Sequence, residues 1–146
     1  MSEKLERVAR RMIDEVWNRG NLNVIPELFT NDHINNDPVN QARGLEGLRQ
    51  VVSKYRTALP DCRLDIDECL SAGDNAVVLR WRYTGTQRGQ LEGIAPTGRV
   101  VNGTGITLLR FEGERIRESQ IQWDALGLMQ QLGVVTLPGR VATAGA

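Results

Sequence analysis

The chain is poor in the residues that build metal centres and disulfide frameworks. Its 146 residues include one histidine and two cysteines, so no His/Cys metal-binding spacing can form. Cys62 and Cys69 fall on a predicted strand, where they point to opposite faces and lie too far apart to bridge. The sequence therefore predicts no metal site and two reduced thiols.

Long apolar runs and an excess of one charge are also missing. Eighteen Lys and Arg residues balance 18 Asp and Glu residues, giving a net charge of zero at pH 7. This balance predicts no general attraction to nucleic acid or to an anionic membrane. The apolar runs are far shorter than a membrane-spanning helix, and the N-terminus MSEKLERVARR lacks the apolar core of a signal peptide. We therefore expect a cytoplasmic protein without nucleic-acid or membrane partners.

What the chain does contain is the composition of one folded domain. It is 40% hydrophobic and 25% charged, values typical of globular proteins, and its length suits a single hydrophobic core. No repeat, low-complexity tract or linker interrupts it. We expect residues 1–133 to form the domain, and residues 134–146, which are small and weakly patterned, to form a mobile tail.

Helical patterns come first along the chain. Apolar residues recur at helical spacing over residues 3–19 and again over residues 44–59, where Pro60 ends the pattern. Between them, LNVIPELF predicts a short helix with Pro26 near its first turn. The segment NDHINNDPVN is rich in Asn and Asp and predicts a loop or a short irregular strand.

Strand patterns follow the helices. CRLDIDECL, AVVLRWRYTGTQ, VVNGTGITLLRF and RIRESQIQW each read as a strand, separated by turns or Gly/Pro-rich loops. DALGLMQQLG closes the domain as a short helix. Helices followed by strands joined through short turns predict an α+β fold, with helices on one face of a curved antiparallel sheet.

Three segments, GTQRGQLEGIAPTGR, LLRFEGERIRES and WDALGLMQQLG, carry a resemblance to a known family. In this order and spacing they resemble the SnoaL-like polyketide cyclases, part of the superfamily named after nuclear transport factor two. The resemblance implies a cone-shaped barrel in which an antiparallel sheet of about four to six strands wraps around N-terminal helices and opens onto an apolar pocket. It also implies a homodimer or tetramer formed through the outer sheet face. Characterised members close the last ring of an aromatic polyketide by an intramolecular aldol reaction, without metal or cofactor.

The resemblance implies that Asp124, at the end of the last strand, is the catalytic acid/base. Strand alternation places Gln120, Gln122 and Asp124 on one face, which is either solvated or lines a polar part of a cavity. A carboxylate in an apolar pocket is suited to abstracting a proton next to a carbonyl. The alternative is structural, because Asp is among the best helix N-caps and a helix begins directly after it.

His33 is the second catalytic candidate. It matches a histidine that the family often carries after the second helix, pointing into the pocket. A neutral histidine can donate to a substrate carbonyl or share a proton with a carboxylate. The alternative is a loop histidine bonded to backbone. Asn35 could hold a substrate carbonyl or serve as a turn residue.

The remaining substrate-binding candidates are polar and aromatic residues of the strands and the first helix: Gln120, Gln122, Arg80, Asn102, Trp17 and Trp123. The glutamines could orient a substrate oxygen but cannot act as a base. Many relatives carry a second histidine or an aromatic residue where Ser119 and Gln120 stand. Arg80 could clamp a carboxylate or an enolate, or it could be a surface charge. The tryptophans are either core or pocket wall.

Together these features predict a cofactor-independent enzyme that performs acid/base chemistry on an apolar carbonyl compound. Cyclisation and isomerisation are the expected reactions, and a homodimer is the expected assembly. Two alternatives remain open: a non-catalytic small-molecule binding protein, and a hydrolase or hydroxylase of the same fold that uses pocket water. The sequence does not name the substrate.

Overall fold

Over the residues that the structure describes, the chain forms four α-helices and a six-stranded sheet. A computed structural model describes residues 2–136 and 138; the tail predicted from residue 134 onward falls largely outside them and stays a prediction. The helices are α1 (Ser2–Arg11), which continues as a π-helical segment (Met12–Asn18), α2 (Ile25–Leu28), α3 (Gly44–Ala58) and α4 (Ala125–Gln131), with a 3-10 turn (Leu22–Val24) before α2. The strands are β1 (Phe29–Asn36), β2 (Ala42–Arg43), β3 (Arg63–Ser71), β4 (Ala76–Thr86), β5 (Val100–Glu112) and β6 (Arg115–Trp123).

The sheet has the strand order β2-β1-β6-β5-β4-β3. Because β2 and β3 stand at its two edges, the sheet is open. The α+β class is confirmed, but the expectation of a purely antiparallel sheet is wrong for one pair, since β1 runs parallel to β6. The turn signals in the sequence predict only hairpins, which join consecutive strands in antiparallel pairs. Parallel neighbours such as β1 and β6 are joined by a long connection, which no turn signal marks. β1 itself is the irregular strand that NDHINNDPVN suggested, with a register shift between Phe29 and Ile34.

The hydrophobic core lies between the helices and the inner face of the sheet. α1 and the π-helical segment bury one stripe of apolar side chains, formed by Leu5, Ala9, Met12, Ile13 and Val16. This is the stripe that the helical spacing predicts. Within the described residues, no helix has the length and apolar character needed to cross a membrane.

A bulge in β6 decides which of its side chains face the helices. Phe111 of β5 pairs with Ile116, but the preceding residue, Arg110, pairs with Glu118, so Arg117 is an extra residue in β6. An extra residue shifts every later side chain to the opposite face of the sheet. As a result Ile116 and Ser119 are both buried, although simple alternation puts them on opposite faces.

Two glycines of β5 make room for aromatic rings on the inner face. Gly103 pairs with Tyr83 and Gly105 with Trp81 across β4 and β5. A Cβ atom on Gly103 would lie 2.7 Å from Cε1 of Tyr83, and one on Gly105 would collide with the ring of Trp81. Both rings therefore lie over bare backbone, which is the role glycine has where side chains must approach a strand closely.

Candidate functional site

A cavity opens between α3, the π-helical segment and the inner face of the sheet. Its volume is about 100 Å³. Most of the side chains around it are apolar or aromatic: Met12, Ile13, Trp17, Phe29, Leu48, Val51, Tyr55, Leu59, Cys62, Leu64, Trp81, Tyr83, Ile121, Trp123 and Leu128. Four polar residues complete the lining, namely Asn35, Asp37, Thr107 and Ser119.

Asp37 supplies the carboxylate of this cavity. It follows directly after β1 and is only 6% exposed. Its Oδ1 accepts hydrogen bonds from the backbone N–H groups of Val39 (2.8 Å) and Asn40 (3.2 Å). The indole Nε1 of Trp123 lies 3.0 Å from both carboxylate oxygens. Among the described residues, Oδ2 therefore has only the shared indole N–H as a hydrogen-bond partner.

The Trp123 ring gathers the carboxylate and two phenols around it. Its centroid lies 6.1 Å from that of Tyr55 and 6.3 Å from that of Tyr83, while its N–H bonds to Asp37. Edge-to-face packing of this kind fixes ring orientation. The arrangement brings together groups from four parts of the chain, because Tyr55 is on α3, Tyr83 on β4, Trp123 on β6 and Asp37 after β1.

Both phenols are neutral hydrogen-bond donors. Burial raises the pKa of Tyr55 to about 12, and the charge of Asp37 adds to that rise, while a bond from Asn40 opposes it. The Tyr55 oxygen accepts from Asn40 Nδ2 at 2.7 Å, which leaves its own proton free to donate. Burial likewise raises the pKa of Tyr83 far above its usual range, with the charge of Asp124 as a second cause. The Tyr83 hydroxyl is buried and has no hydrogen-bond partner among the described residues.

His33 lies behind the cavity wall. Its ring is fully buried, it packs edge-to-face on Phe29, and its Nε2 lies 2.9 Å from Ser119 Oγ. Burial lowers the pKa of His33 to about 4, although the nearby charge of Asp32 acts in the opposite direction. The imidazole is therefore neutral at physiological pH. It meets the cavity only through Phe29 and Ser119, whose side chains line it.

Three of the residues predicted from sequence to bind substrate lie at the cavity. Trp17, Trp123 and Asn35 all contribute to its lining. The side chain of Asn35 is buried and donates through Nδ2 to the carbonyl of Asn40 at 2.9 Å. Its amide therefore also supports the loop that carries Asp37.

Gln120, Gln122 and Asn102 do not lie at the cavity, and for them the expected placement is wrong. All three are exposed on the outer face of the sheet. The bulge at Arg117 causes this for the glutamines, because it turns Ser119, Ile121 and Trp123 inward instead.

Arg80 also lies on the outer face, away from the cavity. Its guanidinium pairs with Asp67 at 3.6 Å and with Glu68 at 3.1 Å. Its neighbours in β4, Leu79 and Trp81, are the buried ones. The expectation that Arg80 clamps a substrate is therefore corrected to a surface ion pair. A charged guanidinium has a lower free energy at the surface, where water and carboxylates surround it, than inside an apolar cavity.

Asp124 occupies the N-cap of α4. Its Oδ1 accepts from the N–H of Gly127 at 2.8 Å, and its side chain is exposed and absent from the cavity lining. The expected position inside the cavity is therefore corrected to an exposed helix cap outside the lining, although its charge is close enough to raise the pKa of Tyr83. The catalytic role itself stays a prediction, to be tested against Asp37.

Sequence reasoning missed Asp37, Tyr55, Tyr83, Thr107 and Ser119. Asp37 precedes Pro38 in a segment whose composition indicates a loop, so nothing in the local pattern marks it as a site residue. It lies at the cavity because β1, which ends at Asn36, positions it there. The signal for Tyr83 was available, because it shares a strand face with Trp81. Within residues 2–136 and 138, no cluster of three or more His, Cys, Asp or Glu side chains is arranged to hold a metal ion.

Comparison with solved structures gives close matches to the fold. A protein from Jannaschia sp. CCS1 assigned to the SnoaL-like polyketide cyclases matches with a TM-score of 0.84 at 22% identity, over 92% of this chain and 95% of that one. One from Acidithiobacillus ferrooxidans, assigned as a polyketide cyclase, matches with a TM-score of 0.80 at 28% identity, over 90% and 96%. A hypothetical protein with a ketosteroid isomerase-like fold from Catenulispora acidiphila, in complex with trimethylamine, matches with a TM-score of 0.73 at 22% identity, over 88% and 93%.

Comparison with curated proteins gives no match. Comparison with family models matches residues 7–132 to the SnoaL-like polyketide cyclases. That range runs from α1 to the end of α4 and includes every side chain that lines the cavity. The chain belongs to the SnoaL-like polyketide cyclase family.

Proposed function

We propose that this protein is a cofactor-independent enzyme that removes a proton next to a carbonyl group of an uncharged, largely apolar small molecule. One observation carries the proposal. Asp37 is the only carboxylate among the described residues that line the cavity, and the same cavity is lined by Tyr83, a buried phenol whose hydroxyl has no partner among those residues. A base and a hydrogen-bond donor facing the same apolar space are the two groups that enolate chemistry requires.

In the proposed reaction Oδ2 of Asp37 takes the α-proton of the ketone. The electron pair of the C–H bond forms the enolate, and the negative charge that develops on the carbonyl oxygen is stabilised by the Tyr83 O–H. The Tyr55 O–H is a second donor available for the same charge. Donors already oriented towards developing charge in a dry site stabilise it strongly.

The fate of the enolate decides between the two reactions. If the protonated Asp37 returns the proton to another carbon of the enolate, the product is an isomer. If the enolate carbon attacks a second carbonyl of the same molecule, a ring closes and Asp37 gives its proton to the new alkoxide. Each route moves only protons and electron pairs, so both balance without a further reactant.

The lining also supports a neutral substrate. Among the described residues around the cavity there is no Lys, Arg or His, so no cation is at hand to offset the charge of a bound carboxylate or phosphate. Placing such an anion beside Asp37 in an apolar cavity is strongly unfavourable. A ketone or polyketone avoids that cost.

A matched pair of variants tests the proposal. 2-Tetralone, an uncharged bicyclic ketone, is incubated in D2O and the loss of its α-proton NMR signal is followed. The wild type should accelerate exchange, and Asp37→Asn should lower the enzymatic rate by about 100-fold or more, the usual contribution of a general base. Asn keeps an Oδ1 for the amides of Val39 and Asn40, so the loop should stay in place.

The control is Asp124→Asn, which removes the other candidate carboxylate. Because Asn caps helices about as well as Asp, this variant should exchange 2-tetralone at the wild-type rate. If Asp124→Asn abolishes exchange and Asp37→Asn does not, Asp124 is the acid/base and the assignment of Asp37 is wrong. Urea unfolding of both variants shows whether any loss of rate comes from loss of fold.

A second candidate function is the binding of a small organic ammonium ion. All three tryptophans of the chain line the cavity together with the Asp37 carboxylate, and aromatic faces attract such cations. The Catenulispora acidiphila protein of the same fold is in complex with trimethylamine. Titration with trimethylammonium chloride, followed by tryptophan fluorescence against a KCl control, tests this function. Binding that Asp37→Asn abolishes would favour it, and no response beyond that of KCl would exclude it.

A further inference from the structure

The cavity lining includes two hydroxyl groups that the proposed proton transfer does not use. Thr107 on β5 and Ser119 on β6 both line the cavity and are 6% and 4% exposed. Thr107 pairs with Ile121, two residues beyond Ser119, so the two residues are diagonal neighbours on the inner face, with Cα atoms about 7–8 Å apart. A ligand oxygen between them can reach both.

Hydrogen-bond direction fixes what Thr107 offers the cavity. Trp81 Nε1 lies 2.9 Å from Thr107 Oγ1, and an indole nitrogen can only donate. Thr107 is therefore the acceptor in this bond. Its own hydroxyl proton has no acceptor among the described residues, and its side chain lines the cavity.

What Ser119 offers depends on the tautomer of His33. Ser119 Oγ and His33 Nε2 are 2.9 Å apart, while His33 Nδ1 is buried without a partner among the described residues. If the proton is on Nδ1, a buried N–H donor stays unpaired, and the Ser119 hydroxyl donates its hydrogen bond to Nε2. If the proton is on Nε2, only a bare ring nitrogen stays unpaired. An orphaned N–H is the rarer of the two defects in folded proteins.

We propose that His33 carries its proton on Nε2 and donates it to Ser119, which turns the Ser119 hydroxyl proton towards the cavity. Ser119 and Thr107 then form a subsite of two donors for a second oxygen of the ligand. His33 is a positioning residue, acting through Ser119. The same arrangement makes Ser119 a poor nucleophile, because Nε2 has no lone pair with which to take its proton.

This inference deepens the proposed function, and rests on it for the entry of a neutral carbonyl compound. The first carbonyl oxygen meets the phenols near Asp37, and the second meets Ser119 and Thr107. The ligand class that fits is an uncharged compound with two separated carbonyl oxygens and an apolar body. The cavity then offers two pairs of hydroxyl donors, Tyr55 with Tyr83 and Ser119 with Thr107, and one carboxylate.

The tautomer can be measured directly, because His33 is the only histidine of the chain. In uniformly 15N-labelled wild-type protein at pH 7, a long-range 1H–15N spectrum gives one imidazole pattern. We expect the pattern of a neutral ring protonated on Nε2. A ring protonated on Nδ1 would overturn the inference at its first step, whatever the binding data show.

The subsite is tested with two probes that differ by one oxygen. 1,4-Diacetylbenzene has two carbonyls, and 4-ethylacetophenone has one. The three tryptophans in the lining report the binding of both by fluorescence. We expect wild-type protein to bind 1,4-diacetylbenzene about tenfold tighter than 4-ethylacetophenone, which corresponds to the free energy of one good hydrogen bond. Ser119→Ala and Thr107→Val should each reduce that preference, whereas Thr104→Val, on the outer face of β5, should not.

A diketone preference that survives in Ser119→Ala, or that is absent from the wild type, would overturn the subsite. These outcomes are distinct from failure of the proposed function. If 2-tetralone exchange depends on Asp37 while Ser119→Ala leaves the diketone preference intact, only the subsite is wrong. If the tautomer and the diketone preference are found but no exchange occurs, the subsite stands and the acid/base function is wrong.

Discussion

At the residue scale, the direction of each hydrogen bond decides what the cavity can bind. Tyr55 and Thr107 each accept a bond from a group that can only donate, namely the Asn40 amide nitrogen and the Trp81 indole. Each is therefore left with a free hydroxyl proton. Tyr83 has no partner within the described residues. Against these donors stands Asp37, the only carboxylate among the described residues of the lining. An excess of hydroxyl donors favours carbonyl compounds, and the negative charge of Asp37 disfavours anions.

The burial of His33 makes stability depend on pH. The folded state keeps the ring neutral down to about pH 4, whereas the unfolded chain binds a proton near pH 6.5. Protonation of His33 therefore has little effect on the free energy of unfolding above about pH 6.5. Below that pH the unfolded chain binds the proton and the free energy of unfolding falls progressively. The loss stops growing below the folded pKa, where it amounts to about 3 kcal/mol.

Urea unfolding of wild type and His33→Gln checks this prediction. Between pH 6 and pH 5 the wild type should lose about 1.2 kcal/mol of unfolding free energy more than the variant. Effects of the carboxylates are common to both proteins and cancel in the difference. Parallel stability curves for the two proteins over this range would show that the ring is not kept neutral by the fold.

At the element scale, β4 and β5 act as one unit that positions aromatic rings. Trp81 and Tyr83 alternate with exposed arginines on β4, and each lies opposite a glycine of β5. The ring centroids of the two residues are 6.4 Å apart. Because the glycines have no side chain, both rings can lie against the backbone of β5 and still line the cavity.

Gly105→Ala should disturb this unit. The new methyl group would collide with the Trp81 ring, and overpacking of this kind costs about 1–3 kcal/mol. Urea unfolding should show that loss, and tryptophan fluorescence should shift as the ring is displaced.

Thr104→Ala is the matched control for Gly105→Ala. It changes the adjacent residue, whose side chain is exposed on the outer face of the same strand. It should leave the fluorescence unchanged. A Gly105→Ala protein with wild-type stability and fluorescence would mean that the sheet relaxes around the methyl group without moving Trp81.

At the scale of the whole molecule, the sheet has a second face that the helices do not cover. An apolar patch there is formed by Leu70, Val78, Leu108 and Ile106, which are neighbours across β3, β4 and β5. Leu70 and Ile106 are 54% and 51% exposed. Beside them, Arg80 and Arg82 are paired with Asp67 and Glu68, so the charges of these four side chains balance. Exposed patches of this kind are typical of protein interfaces.

We propose that this patch is the contact surface of a homodimer. Light scattering at micromolar concentration should give twice the 16.3 kDa of one chain. Ile106→Glu should shift the protein to monomer, because burying an unpaired carboxylate in an apolar contact is unfavourable. Leu126→Glu changes a residue of α4 that is 45% exposed and should leave the dimer intact. A monomeric wild type would contradict the proposal.

The sequence by itself determined the fold class and most of the elements, but it did not predict β2 and left β1 open between a loop and a strand. Helical spacing in the first 60 residues and alternation in the strands depend on neighbours along the chain, and these local periodicities survive folding. They were enough to place Trp81 and Tyr83 on one strand face and to predict the helix that begins after Asp124. The family resemblance added the architecture and was confirmed.

Only the tertiary structure decided which polar groups meet in the cavity. The Arg117 bulge turned Ser119 and Trp123 inward and Gln120 outward, and strand alternation alone gives the opposite result. The parallel pairing of β1 with β6 brought Asp37 to Trp123, although 86 residues separate them along the chain. A bulge and a long-range pairing depend on contacts between distant segments, and a local sequence pattern carries no record of such contacts.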